Sequence, residues 1–196
     1  MRYWGEVFLL KLFCFDVSRL TEEEFLKLYQ SNDRQRQIKA DKLQKEPSKK
    51  LSLAAGMLAR VGISQHLHMR PQDISFKTEK SGKPYAVGLD IHFSLSHSGS
   101  LAVCAISDRP VGIDVEQIKK VHLKVARRCF TEQEQYYVFG KKGRPQIKFF
   151  EVWTKKEAYV KMMGLGVSDF LSFDVMKNDK IYTLTHEDYI ISIARQ

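Results

Sequence analysis

The sequence predicts an α+β fold laid out as two similar halves, residues 1–107 and 108–196. Three observations carry that expectation. Helical stripes with start and stop signals are interspersed with short, turn-bounded apolar strands. Several of those strands are joined by tight turns, as antiparallel pairing allows. Each half also repeats one order: a strong helix ending at a glycine (Ser48–Gly62, Phe149–Gly164), a strand, then a hairpin closing on an apolar strand (Leu101–Ile106, Tyr189–Ala194). Residue identity between the halves is low.

Taken in order, Glu6–Asp16 is rich in Val, Phe and Leu and reads as an opening strand. Thr21 followed by Glu22, Glu23 and Glu24 is a capping box, starting a helix that runs towards Gln30. After Pro47, Leu51, Ala54, Ala55, Leu58 and Val61 form one apolar stripe, so a core-facing helix spans Ser48–Val61 and stops at Gly62. Pro71 opens a turn, Ser75–Thr78 is a short strand, and Lys80-Ser-Gly-Lys-Pro is a loop. Ile91–Ser96, Leu101–Ile106 and Val111–Glu116 then read as a three-strand meander, with turns at Ser96-His-Ser-Gly and Asp108-Arg-Pro. Val121–Phe130 has helical spacing, and Thr131 caps the next helix. A basic loop at Gly140–Pro145 leads into a helix over Phe149–Met163. Phe170–Val175, Lys180–Leu184 and Tyr189–Ala194 close the chain as strands.

At 196 residues, with 43% hydrophobic and 11% aromatic side chains, the chain is long enough to bury a real core and is not a disordered segment. It has no apolar run long enough to span a bilayer. Its net charge of +9 calls for an acidic partner: nucleic acid, an anionic membrane, a phosphorylated small molecule or an acidic protein. The charge is concentrated. Residues 34–60 carry a balance of +6 and residues 117–148 of +7, leaving −4 for the rest. Cys14, Cys104 and Cys129 are odd in number and show no C-x-x-C pairing, so reduced thiols in a cytoplasmic protein are expected. Val7–Phe15 is broken by Lys11 and lacks a cleavage site, which suits a strand better than a signal peptide.

Four short segments carry chemistry. In Val111-Gly-Ile-Asp-Val-Glu, Asp114 and Glu116 project from one face of a strand about 7 Å apart, and two such carboxylates repel unless a cation or a basic group lies between them. An all-oxygen pair suits Mg²⁺, although an edge strand showing acids to solvent has the same spacing. In Trp153-Thr-Lys-Lys-Glu-Ala-Tyr-Val-Lys, the residues Trp153, Glu157 and Lys161 share a helical stripe with Lys156 one step around. An ordinary Glu→Lys pair four residues apart, worth about 0.3–0.5 kcal/mol, would look alike. Phe93-Ser-Leu-Ser-His-Ser puts His97 beside Ser96 and Ser98 at a strand end, a polar anion-contacting turn rather than a serine nucleophile, since no G-x-S-x-G elbow exists. Ser81-Gly-Lys-Pro falls short of a Walker loop.

Together and in this order, Gly82-Lys83-Pro84, Phe93–Ser98, Gly112–Glu116 and Trp153–Lys161 resemble the hallmarks of the Sfp-type 4′-phosphopantetheinyl transferases. Cys129-Phe-Thr-Glu-Gln-Glu resembles a further segment of that family, and the likeness spans about residues 34–194. The resemblance implies the family's fold of two similar α/β halves related by a pseudo-twofold, with the site in the cleft between them. It implies transfer of the phosphopantetheine arm of coenzyme A to a serine of an apo acyl-, polyketide or peptidyl-carrier protein, releasing adenosine 3′,5′-bisphosphate. By the same resemblance Asp114, Glu116 and Glu157 would hold Mg²⁺, and Glu157 would instead or also take the serine proton. Lys156 and Lys161 would sit near the phosphates. Lys83, Ser96 and His97 would contact the coenzyme's phosphates, joined by a basic residue of the 45–50 stretch that aligns with either Lys49 or Lys50. Ser94 stands where many members have Asn. The tail ends soon after the last strand, as in a compact member, and a monomer is expected.

The basic stretch at 117–148 is then the expected seat of the acidic helix of a carrier protein. Two other readings fit parts of the pattern. A basic nucleic-acid-binding domain would use the +9 charge and the aromatics, but no recognised nucleic-acid motif is present. A different Mg²⁺-dependent phosphoryl enzyme would share the D-x-E and need no carrier.

Overall fold

The computed structural model of the chain describes residues 2–7, 10–79, 82–121, 123–140 and 143–196, with the backbone alone for 2–7 and 167. The chain divides into two compact units, Met1–Asp108 and Arg109–Gln196. Each has its own antiparallel sheet crossed by one long helix.

In the first unit the strands β1 (Arg2–Val7) and β2 (Leu10–Asp16) pair antiparallel, so the opening apolar stretch holds two strands rather than one. The helix α1 (Glu22–Gln30) carries the expected capping box: Thr21 accepts from the Glu24 amide while Glu24 accepts from the Thr21 amide. An unexpected helix, α2 (Arg34–Asp41), follows. It has almost no apolar stripe and starts on its N-cap, where Asp33 Oδ1 accepts from the Arg36 amide at 3.0 Å.

The long helix α3 spans Glu46–Leu67 and does not stop at Gly62. A Cβ at Gly62 would lie 2.9 Å from both Ile106 Cδ1 and Phe13 Cε2, so the glycine marks a close approach of helix to sheet, not a terminus. Two short strands, β3 (Phe76–Thr78) and β4 (Pro84–Ala86), form a hairpin; Lys80 and Ser81 of the intervening loop lie outside the described residues. Strands β5 (His92–Ser98) and β6 (Leu101–Ser107) complete a sheet of order β1-β2-β6-β5. The turn lies at Gly99–Ser100, so Ser96 and His97 belong to β5. Phe13, Leu53, Leu58, Ile63, Cys104 and Ile106 centre the core.

The meander ends there. Strand β6 pairs with β2 on one edge and β5 on the other, leaving no edge for a third partner. Strand β7 (Val111–Gln117) therefore starts the second unit, where it pairs with β9 (Tyr189–Arg195), and β8 (Ile181–His186) pairs with the other side of β9. Helix α4 covers only Lys124–Cys129 of the expected 121–130, and His122 lies outside the described residues. Helix α5 (Glu132–Phe139) starts on the capping box of Thr131 and Glu134. Lys141 and Lys142 of the basic loop are likewise outside the description. Helix α6 begins earlier than expected, at Pro145, and runs to Met163 across β7 and β9.

The expected strand at Phe170–Val175 is absent: Val167–Ser172 and Val175–Lys177 are 3-10 turns. The carbonyls of Phe170 and Phe173 are turned inward onto the Lys156 ammonium instead of into a ladder. Cys14 and Cys104 are buried and Cys129 half-buried, and none forms a disulfide. Among the described residues no helix is long and apolar enough to cross a membrane.

Candidate functional site

Strand β7 sorts its side chains by alternation. Ile113 and Val115 are buried on one face; Gly112, Asp114 and Glu116 share the other, which lies under α6. Gly112 makes this arrangement possible. A Cβ there would fall 1.9 Å from the Ala158 carbonyl oxygen and 2.5 Å from the Met162 amide nitrogen, both backbone atoms of α6. Helix and strand thus meet at backbone contact, and the Glu157–Lys161 turn is carried down beside Asp114.

Strand β7 lies at the edge of its sheet, yet Asp114 is 4% exposed, so its carboxylate is not simply shown to solvent. Lys161 Nζ donates to Asp114 Oδ1 at 2.7 Å, and Asp114 Oδ2 is buried as well. Glu157 is half-buried on the same stripe of α6. Burial pushes its carboxyl above the ordinary value, the Asp114 and Glu116 charges push the same way, and Lys161 pulls it back. Three carboxylates and one ammonium therefore form one electrostatic cluster. Among the described residues no three His, Cys, Asp or Glu side chains converge into a ready-made metal cage. The donor set is nevertheless all oxygen, crowded and partly dehydrated, which suits a hard cation such as Mg²⁺.

Lys156 does not join this cluster. It is fully buried and forms an ion pair with Glu134 at 3.0 Å, with Glu134 equally buried. It also donates to the carbonyl oxygens of Phe170 and Phe173, the latter at 2.9 Å, and lies 4.3 Å from the centre of the Phe173 ring. Glu134 completes the group, accepting from the Val175 amide at 2.9 Å and the Thr131 amide at 2.8 Å. The expectation that Lys156 stands near the phosphates is thus corrected: one helical step from Glu157 points it into the core. Trp153 also faces inward, stacked on Phe149 and edge-on to Phe170.

Sequence reasoning singled out the Cys129–Glu134 segment but missed the pairing of Glu134 with Lys156, 22 residues away, and the structural reason for Gly112. It also missed a hydroxyl chain in which Ser192, the cross-strand neighbour of Asp114, lies 2.8 Å from both Thr154 and Thr183. None of these carries a signal that a single sequence displays.

The remaining predicted site residues lie in the first unit. Lys83 is half-buried at the start of the β3–β4 hairpin's return, and burial lowers its ammonium pKa against the opposing pull of Glu79. Ser96 and His97 are successive residues of β5 and so face opposite sides; Ser96 is buried and His97 exposed. Lys50 is held by Glu46 at 2.6 Å over the Phe25 ring, while Lys49 lines a cleft with Glu22, Asp41 and Glu46.

The comparisons with known proteins agree with the residues. Residues 110–192 match the 4′-phosphopantetheinyl transferase superfamily, and residues 19–109 match the family described as 4′-phosphopantetheinyl transferase, N-terminal. The 4′-phosphopantetheinyl transferase gsp of Aneurinibacillus migulanus is 42% identical over 59% of this chain and 49% of its own length. The 4′-phosphopantetheinyl transferase Sfp of Bacillus subtilis is 33% identical over 72% of this chain and 61% of its own, and psf-1 of Bacillus pumilus is 38% identical over 62% and 53%. The chain thus spans about half to three-fifths of the length of these relatives. With both units matched in order and the carboxylate–lysine cluster on the residues that carry the motifs, the chain belongs to the 4′-phosphopantetheinyl transferase superfamily.

Proposed function

We propose that this protein transfers the 4′-phosphopantetheine group of coenzyme A to a serine hydroxyl of an apo carrier protein, acting in the cytoplasm as a monomer. The observation that carries the reading is the cluster of Asp114, Glu116, Glu157 and Lys161 where α6 meets β7. In the transfer, the serine oxygen forms a bond to the phosphorus next to the pantetheine arm. The bond from that phosphorus to the bridging oxygen breaks, and adenosine 3′,5′-bisphosphate leaves. Asp114, Glu116 and Glu157 would hold a Mg²⁺ ion, which when bound neutralises pyrophosphate charge and steadies the leaving group.

Glu157 has a second task. It would instead, or also, accept the serine proton, directly or through a water. Lys161, 29% exposed at its side chain, has the reach to offer its ammonium to a coenzyme phosphate. Lys83 and His97 are the first-unit groups suited to further phosphate contacts. The exposed basic residues of 117–148 would receive the acidic carrier.

The test is to incubate the protein with coenzyme A, Mg²⁺ and an apo carrier and to weigh the carrier. A mass gain of one phosphopantetheine group is expected, lost in Asp114→Ala and Glu157→Ala variants that keep the parent's circular dichroism. No gain with carriers of fatty-acid, polyketide and peptide synthesis would refute the reading.

A further inference from the structure

Lys161 and Asp114 are unequally held. Asp114 is fixed in β7, with its side chain 6% exposed and its backbone in register with Ser192 of β9. Lys161 reaches it from the last turn of α6 on a four-carbon stem, with its side chain 29% exposed, so the ammonium can leave for solvent while the carboxylate cannot. The contact at 2.7 Å occupies Asp114 Oδ1. A hard divalent cation approaches a carboxylate oxygen more closely still. An ammonium and a dication on the same oxygen repel at short range, so each weakens the other's hold there.

We propose that Lys161 is an exchangeable counter-cation of the carboxylate cluster: a divalent cation entering at Asp114 takes its place on Oδ1, and the released ammonium turns to a phosphate of the incoming coenzyme A. The inference rests on the reading of Asp114, Glu116 and Glu157 as cation ligands. No bond is made or broken in the exchange. One positive charge moves off the aspartate as two arrive, and the lysine keeps its proton. The order of events follows. Cation binding frees the phosphate-binding lysine, so cation and coenzyme favour one another.

The test measures Mn²⁺ binding to the whole chain without coenzyme A, by electron paramagnetic resonance of the unbound ion. Asp114→Asn should abolish the tight site; if it does not, or if the parent has no such site, the ligand reading and this inference fall together. With that control in place, Lys161→Gln should tighten Mn²⁺ by on the order of tenfold, the size expected for removing an opposite charge from a carboxylate. Lys161→Arg should bind no tighter than the parent. Lys155→Gln, which removes a neighbouring charge of α6 without touching Asp114, should change affinity by less than about threefold.

A Lys161→Gln variant that binds Mn²⁺ no tighter than the parent overturns the exchange. So does equal tightening in Lys155→Gln, which would mark a general field effect. The parent chain gives a second readout that does not depend on how a variant folds. After reductive ¹³C-methylation, the Lys161 resonance (assigned by its loss in Lys161→Arg) should shift on titration with Mg²⁺, with the midpoint of metal binding. A resonance that stays put overturns the proposal.

Discussion

Two glycines show how much a single residue decides. Gly62 and Gly112 both sit where a helix presses on a strand, but the atoms a new Cβ would meet differ in kind. At Gly62 they are the ends of the Ile106 and Phe13 side chains, which can give. Alanine is also about 1 kcal/mol better than glycine within a helix. Gly62→Ala should therefore stay within about 1 kcal/mol of the parent in urea denaturation, the propensity gain offsetting the repacking. At Gly112 the atoms are the backbone of α6 itself, at 1.9 and 2.5 Å. Gly112→Ala should cost at least the upper end of the usual overpacking range, about 3 kcal/mol, and lift α6 off the strand. Equal losses in the two variants would show that backbone and side-chain contacts give way alike. The sequence displays both glycines, yet it misplaces the first as a helix stop. A residue's spacing is written in the chain, and the closeness of its neighbour is not.

Among elements, the buried pair of Lys156 and Glu134 ties α5, α6 and the two 3-10 turns into one assembly. Removing one partner strands the other charge in the core, so Lys156→Met should cost about 3–5 kcal/mol. Replacing both, as Lys156→Met with Glu134→Gln, removes the stranded charge while keeping a side-chain acceptor beside the Thr131 and Val175 amides, and should recover part of that loss; a double variant worse than the single one would contradict the stranded-charge account. This pair also explains why helices and hairpins were legible while the 170–175 segment was not. Caps and apolar stripes are local, whereas Phe170–Val175 has strand-like composition and spends its carbonyls on a distant lysine.

A second tie between α5 and α6 is the Tyr137 hydroxyl, which donates to Glu151 at 2.5 Å. Burial first, and then Glu151, push the Tyr137 pKa from 10.0 up to about 12. The folded state thus favours the protonated phenol. Its contribution to stability is complete below pH 10 and fades as the pH climbs through about 12. Tyr29, whose hydroxyl donates to Asp41, is raised as well, so a spectrophotometric titration should show more than one late tyrosine, and Tyr137→Phe should remove the step near 12.

At the scale of the molecule the question is what the excess of +9 is for. The charge blocks were legible, because composition needs no fold. Their division of labour was not, because it depends on which charges reach the surface. The 117–148 stretch counts Glu132 and Glu134 as its acids, but Glu134 is buried against Lys156 and leaves Glu132 as the exposed one. On α4, Lys124 and Arg128 are exposed and four residues apart, hence on one face, while Arg127 lies over the Phe139 ring. If this face receives an acidic carrier, the double variant Lys124→Glu with Arg128→Glu should raise the KM for the carrier several-fold and flatten its salt dependence, since exposed charges act mainly by steering encounter. The KM for coenzyme A and the melting temperature should stay near the parent values, because both side chains stand in solvent and neither is among the charges that act on Glu157. Initial rates at two ionic strengths, with carrier and coenzyme varied in turn, separate the cases. A loss that falls on coenzyme A instead would assign these basic residues to the nucleotide, and an unchanged carrier KM would move the docking surface off α4 altogether.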